Sequence, residues 1–147
     1  MSQATHTFEL EASSSHLLPF RQKLRSLLEA GGFDAQAVHD VILSVDEVLA
    51  NVIRHAYGGK EGRTESGKIR VTISDREERA EIVIQDEGLC FDPRSIPAPE
   101  LPSRKPGGLG IYLVRSLMDE IDYEPLKPQG NRLRLVKYKK GKGEIKR

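Results

Sequence analysis

From Asp34 to Gly59 the apolar residues return every three or four positions. Set on a helix at about 100° per residue, Val38, Val41, Ile42, Val45, Val48, Leu49, Val52 and Ala56 gather on one side. That side is wide enough to be a core face. Asp40, Ser44, Glu47, Asn51, Arg54 and His55 gather on the opposite side. A plain solvated face favours Lys and Glu; this one sets Glu47 and Asn51 one turn apart, with Arg54 and His55 on the next turn. Glu47 can act as a general base or orient a water. Asn51 offers a carbonyl oxygen, a hard ligand suited to Mg²⁺. The alternative is a surface helix with ordinary polar residues.

The flanking chain reads as follows. Thr7–Glu11 alternates as a short first strand. Ser13, Ser14 and Ser15 are helix-cap candidates, and Leu17, Phe20, Leu24, Leu27 and Leu28 then keep helical spacing until Gly31-Gly32. Pro19 suits that helix's first turn. Asp34 caps the second helix, which is expected to run to Gly58-Gly59, and Lys60–Ser66 is a polar loop. Lys68–Ser74 and Arg79–Gln85 alternate as a hairpin, with Ile69, Val71, Ile73, Ala80, Ile82 and Ile84 inward. Asp86–Pro106, with five prolines, is long enough to be a functional lid or a disordered segment. Gly107-Gly108-Leu109-Gly110 opens a third helix whose stripe is Ile111, Val114, Leu117 and Met118. Ile121–Glu124 and Arg132–Tyr138 are two final strands across a turn at Pro128-Gln129-Gly130.

Helices that are few and clustered, with strands mostly joined by short turns, predict an α+β two-layer sandwich: three helices on one face of a mixed, mainly antiparallel sheet. The 147 residues are expected to form one domain, with a core over about 7–139 and a basic tail at 140–147. No apolar run approaches the length of a membrane span, and the N-terminus lacks the pattern of a signal peptide. With Cys90 alone there is neither an intrachain disulfide nor a cysteine-cluster zinc site. Residues 132–147 hold eight Lys and Arg against one Glu; the remaining fifteen bases and twenty-one acids leave the body at −6. A body of that sign is a poor nucleic-acid platform. The basic run is either a solvated terminus or a contact for an acidic partner or RNA.

Two further stretches carry chemistry. Asp86-Glu87-Gly88-Leu89-Cys90-Phe91 follows a strand. Asp86 there can accept a hydrogen bond from an exocyclic amine such as that of adenine, and Gly88 lets the backbone approach a flat ring. The alternative is a simple Asp-Gly turn. Gly107-Gly108-Leu109-Gly110 at a helix start suits a phosphate, or merely permits close packing. It is not a Walker A loop, since no Gly-Lys-Ser/Thr follows, and no strand precedes it as a dinucleotide fingerprint requires.

Taken together, SVDEVLANVIRHAYGG, IVIQDEGLCFDP, GGLGIYLVRSLMDEID and GNRLRLVKY, spread over about Phe8–Tyr138, resemble the N, G1 and G2 boxes of the GHKL (Bergerat-fold, histidine-kinase-like) ATPases. Within them the chain is most similar to the small anti-sigma-factor serine/threonine-protein kinases. The resemblance implies ATP and Mg²⁺ as cofactors, with Asn51 on Mg²⁺, Glu47 as the base for a substrate serine, Asp86 on the adenine amine and Gly88 beside it. Gly108, Leu109 and Gly110 would line the phosphates, Arg104 and Lys105 would reach the γ-phosphate, and Arg21 would contact protein partners or be a solvated helix residue. It implies a cytoplasmic homodimer whose partners are a sigma factor and a STAS-domain anti-sigma-factor antagonist, without direct nucleic-acid or membrane contact. Two functions coexist in the family: a Mg-ATP-dependent kinase of the antagonist, and a nucleotide-responsive binding switch with little or no kinase activity. Cys90 stands where the G1 box usually has a second glycine, which predicts a tighter adenine pocket. Asn131 stands near a Thr that the wider superfamily sets on the adenine side. His55 is expected to pack or to cap the helix end.

Overall fold

A computed structural model describes residues 4–57, 67–92 and 110–139. The chain runs β1 (Ala4–Glu11), α1 (Leu17–Ala30), α2 (Ala35–Asn51), β2 (Lys68–Asp75), β3 (Arg79–Asp86), α3 (Gly110–Leu117), β4 (Glu120–Pro125) and β5 (Asn131–Tyr138). The expected order is the one observed, and three helices stack on a five-stranded sheet ordered β1-β2-β3-β5-β4. The sheet is not mixed: all four pairings are antiparallel. The reason lies in the crossover. β3 and β4, joined through α3, run parallel to each other, but β5 inserts between them and pairs with both.

Period-two alternation decides the sheet's faces. Ile69, Val71 and Ile73 on β2, Ala80, Ile82 and Ile84 on β3, and Leu133 and Leu135 on β5 are all buried against the helices. Across from them lie Val38, Val41, Val45, Val48 and Leu49 of α2, at or below 2% exposure. Phe8 of β1 meets Phe20 of α1 edge to face, ring centres 5.4 Å apart. The outer face is charged. There Arg134 bonds Glu81, Glu120 (3.2 Å) and Asp122 (2.7 Å), tying β5 to both neighbours.

Asp34 caps α2 as its residue type predicts, its Oδ1 accepting the Ala37 N–H at 2.8 Å. Gly32, at φ +95°, supplies the left-handed residue that turns the chain between α1 and α2. The serines do not cap α1. Its N-cap is His16, without a side-chain bond, while Ser13 and Ser15 bond each other at 3.0 Å. Past Asn51 the α2 axis continues as one π-helical turn, Val52–Ala56. The polar side of α2 is not a solvent face. Ser44 and Asn51 are buried, and Asp40 pairs with Lys137 of β5 at 3.6 Å. α3 packs against α2. The expected end of α2 at Gly58-Gly59, the 60–66 loop, residues 93–106 of the expected 86–106 lid, residues 107–109 and the tail 140–147 lie outside the described residues. Among the described residues no helix is long and apolar enough to cross a membrane.

Candidate functional site

Even-numbered positions of β3 point toward the helices, so the alternation that buries Ala80, Ile82 and Ile84 also buries Asp86, at 1% exposure. A buried carboxylate needs donors. Asp86 has them: Oδ1 accepts the Gly88 N–H at 2.8 Å, and Asn131 Nδ2 donates to Oδ1 at 3.1 Å and Oδ2 at 3.3 Å. Burial still raises its pKa above the ordinary Asp value, and the Glu87 charge adds to that; the bonds from Gly88 and Asn131 pull the other way.

The turn after Asp86 is bonded along its length. The Glu87 N–H donates to Tyr57 Oη at 2.8 Å, and that hydroxyl donates to the Lys68 carbonyl at 2.8 Å. Gln129 Nε2 donates to the Glu87 carbonyl at 2.8 Å. The Leu89 N–H reaches the Ala56 carbonyl at 2.8 Å. Asn131 Nδ2 reaches the Leu89 carbonyl at 2.9 Å, and the Phe91 N–H donates to Asn131 Oδ1, also at 2.9 Å. The Cys90 thiol turns to the Gly130 carbonyl at 3.1 Å, and Cys90 does not line the cleft described next.

Gly88 has no room for a side chain. A Cβ there would lie 2.4 Å from the Ala56 carbonyl oxygen, a backbone atom. Gly88→Ala is therefore expected to push the turn off the end of α2, lowering unfolding free energy by about 2 kcal/mol and weakening any ligand held by Asp86. A chemical-denaturation curve checks this; an unchanged midpoint would contradict it.

Asp86, Asn131, Asn51, Val48, Val52, Ile84, Phe91, Tyr123 and Leu133 line one narrow cleft whose free space, about 10 Å³, is room for about one water. Its lining combines apolar walls with a few polar groups, the composition of a small-molecule site without the volume of one, so a nucleotide must part its walls to enter. Asn51 is buried, with its Nδ2 unpartnered among the described residues and its Oδ1 accepting Arg54 at 3.3 Å. Glu47, half-buried, sits one turn earlier on α2. His55 packs against Phe91, ring centres 5.2 Å apart, as expected of a packing residue. Burial, and then the Arg54 charge, hold its pKa below the ordinary value.

Asn51 and Asp86 thus share one cleft, with Gly88 bonded to Asp86 in the turn that follows it and Glu47 one turn before Asn51 on α2, outside the cleft lining. Gly110 begins α3; Arg104, Lys105, Gly108 and Leu109 lie outside the described residues. Arg21 is not a free helix cation: it pairs with Asp46 of α2 at 2.8 Å. Burial raises the Asp46 pKa, against the lowering effect of Arg21. Two working parts were missed in the sequence as such. Tyr57 bridges β2 to the turn, and Asn131 bonds Asp86, Leu89, Phe91 and Tyr123. For Tyr57 the signal was its place right after the helix in HAY.

A divalent ion has no ready cage here, since the described residues hold no cluster of three His, Cys, Asp or Glu. Asn51 can offer an ion only its amide oxygen, which here accepts from Arg54 at 3.3 Å; its nitrogen, unpartnered among the described residues, is a donor, so a Mg²⁺ held there would have to displace Arg54 and take its other oxygens from substrate phosphates and water.

The family model described as "Histidine kinase-like ATPase domain" matches residues 10–137. The chain is 29% identical over 124 residues to the serine-protein kinase RsbW of Bacillus pumilus, covering 79% of this chain and 75% of that one. It is 29% identical over 137 residues to the RsbW of Staphylococcus epidermidis, covering 88% and 83%. Among solved structures, the RsbU and RsbW domains of Rv1364c from Mycobacterium tuberculosis superpose with a TM-score of 0.63 at 17% identity, over 91% of this chain and 31% of that longer one. The histidine kinase domain of a blue-light activated kinase from Erythrobacter litoralis does so at 0.51 and 17%, over 83% and 58%. With the family model spanning nearly all of the sheet and helices, and with Asp86 and Asn51 on one cleft, the chain belongs to the histidine kinase-like ATPase domain family.

Proposed function

We infer that the protein is an anti-sigma factor and Mg-ATP-dependent serine kinase, acting as a single cytoplasmic domain. It binds a sigma factor and phosphorylates a STAS-type anti-sigma-factor antagonist. One observation carries the reading. α2 sets Glu47 one turn from Asn51, and Asn51 shares its cleft with Asp86. A hard oxygen donor and an acceptor for an exocyclic amine therefore share one cleft, with a base one turn away along α2. The similarity to relatives named serine-protein kinases supports the substrate class.

In this reading Asp86 accepts from the adenine amine and Gly88 lets the turn lie close to the base. Asn51 holds Mg²⁺. When bound, that ion offsets negative charge on the phosphates, where positioning and electrostatics supply most of phosphoryl-transfer catalysis. Gly108, Leu109 and Gly110 line the phosphates, and Arg104 and Lys105 reach the γ-phosphate. Glu47 accepts or positions the proton of the attacking serine hydroxyl. Arg21 meets the partner protein, exchanging Asp46 for a partner acid. The protein works as a homodimer and contacts neither nucleic acid nor membrane directly.

The test is phosphotransfer from Mg-ATP to a purified STAS-domain antagonist from the same organism, read as phosphoserine by mass spectrometry. Phosphoserine on the antagonist, lost when Mg²⁺ is chelated, is the expected result. Nucleotide binding and partner binding without phosphoserine would replace the kinase by the binding switch.

A further inference from the structure

Asn131 is 4% exposed and uses every hydrogen-bonding position its amide has. Its NH₂ group serves Asp86 Oδ1, Asp86 Oδ2 and the Leu89 carbonyl. Its oxygen accepts the Phe91 N–H at 2.9 Å and the Tyr123 hydroxyl at 2.6 Å. The amide cannot be turned over without setting its oxygen against a carboxylate and a carbonyl, so its orientation is fixed. Its effect on Asp86 is asymmetric. Among the described residues Oδ1 carries two donors, from Gly88 and Asn131, whereas Oδ2 receives Asn131 alone at 3.3 Å. Oδ2 thus keeps acceptor capacity at a cleft whose other walls are Val48, Val52, Ile84, Phe91 and Leu133 together with the polar Asn51 and Tyr123.

We propose that Asn131 is a positioning residue that sets base selectivity, by holding Asp86 as a pure acceptor with Oδ2 presented to the cleft. This rests on the nucleotide-site reading above and deepens it. An acceptor-only carboxylate favours a base with an exocyclic amine and repels one with an oxygen at the same place. Without Asn131 the carboxylate keeps the Gly88 N–H as its donor in an apolar surrounding, beside the Glu87 charge and the Tyr57 phenol. It then turns freely and takes up a proton more readily. A protonated carboxyl donates as well as accepts, so a 6-oxo base is no longer rejected. Asn131 acts through Asp86 and does not itself touch the base.

The test compares ADP with inosine diphosphate, identical except for the 6-substituent, by calorimetry on the wild-type protein, Asn131→Ala and Asp86→Asn. Wild type is expected to prefer ADP. Asn131→Ala is expected to shrink that preference about tenfold, chiefly by weakening ADP, since a hydrogen bond to a charged group is at stake. Loss of packing alone would weaken both ligands equally and leave the ratio unmoved. Where Asn131→Ala fails to fold, Asn131→Asp keeps the size and the acceptor for Phe91 while removing the donor to Asp86, and the same fall in ratio is expected. An unchanged ratio in the folded variant, with Asp86→Asn still weakening ADP about 100-fold, overturns the role of Asn131 and leaves the site reading standing. No ADP binding by wild type overturns both.

Discussion

Glu47→Gln is expected to cut phosphotransfer by a factor of about 10²–10⁴ and to leave ADP affinity unchanged. The split follows from placement. Glu47 stands on α2 one turn before Asn51, and it is not among the residues lining the cleft that holds Asp86. Gln has the same length and can still accept a hydrogen bond, but it cannot take a proton. The loss stays below the total rate enhancement because metal and positioning supply most of the acceleration in this chemistry. The neighbouring Asp46 is no substitute base. Its carboxylate faces Arg21 at 2.8 Å, on the side of α1. Single-turnover phosphotransfer with matched ADP titrations checks the prediction, and full activity in the variant would remove Glu47 from its role.

Asp86→Asn is expected to weaken ADP about 100-fold, near 3 kcal/mol. Two effects add. The acceptor for the exocyclic amine becomes half a donor, and the new amide meets the Asn131 NH₂, which now bonds Asp86 at 3.1 and 3.3 Å. The pKa of Asp86 gives the pH dependence. Burial raises it above 3.8, so the folded state holds this proton more tightly than the unfolded chain. Asp86 therefore costs stability as pH rises from 3.8 through its raised value, while amine binding needs the ionised form and fails as pH falls through that same value. An acid limb in ADP affinity, lying above the ordinary Asp range and accompanied by no loss of fold, is the expected signature in a pH series of titrations.

Why some parts could be read from the sequence and others could not is a matter of distance along the chain. Alternation in Lys68–Ser74 and Arg79–Gln85 names the inward residues because strand geometry has period two, and it carries Asp86 inward on the same parity. The Asp34 cap is equally local. Strand order is not local. Nothing in the sequence says that the α3 crossover lands two positions from β3, leaving the place between for β5, and so a mixed sheet was expected where an antiparallel one forms. Helical periodicity marks the apolar side of α2 but is blind to what the other meets, where Ser44 and Asn51 are buried and Lys137 pairs with Asp40. The bonds of Tyr57 to Glu87 and of Asn131 to Asp86 span 30 and 45 residues. Partners so far apart leave no spacing signal, although the residue types were visible. Cys90 was expected to narrow the base pocket, yet its thiol turns away to Gly130; that choice depends on the tertiary position of the 126–130 turn.

The measurement that bears most directly on the cleft is calorimetric titration of the wild-type protein with ADP, with and without Mg²⁺. Saturable binding at about micromolar strength, tightened by Mg²⁺, is the predicted result. Heats indistinguishable from dilution in both conditions would contradict a nucleotide site built on Asn51 and Asp86.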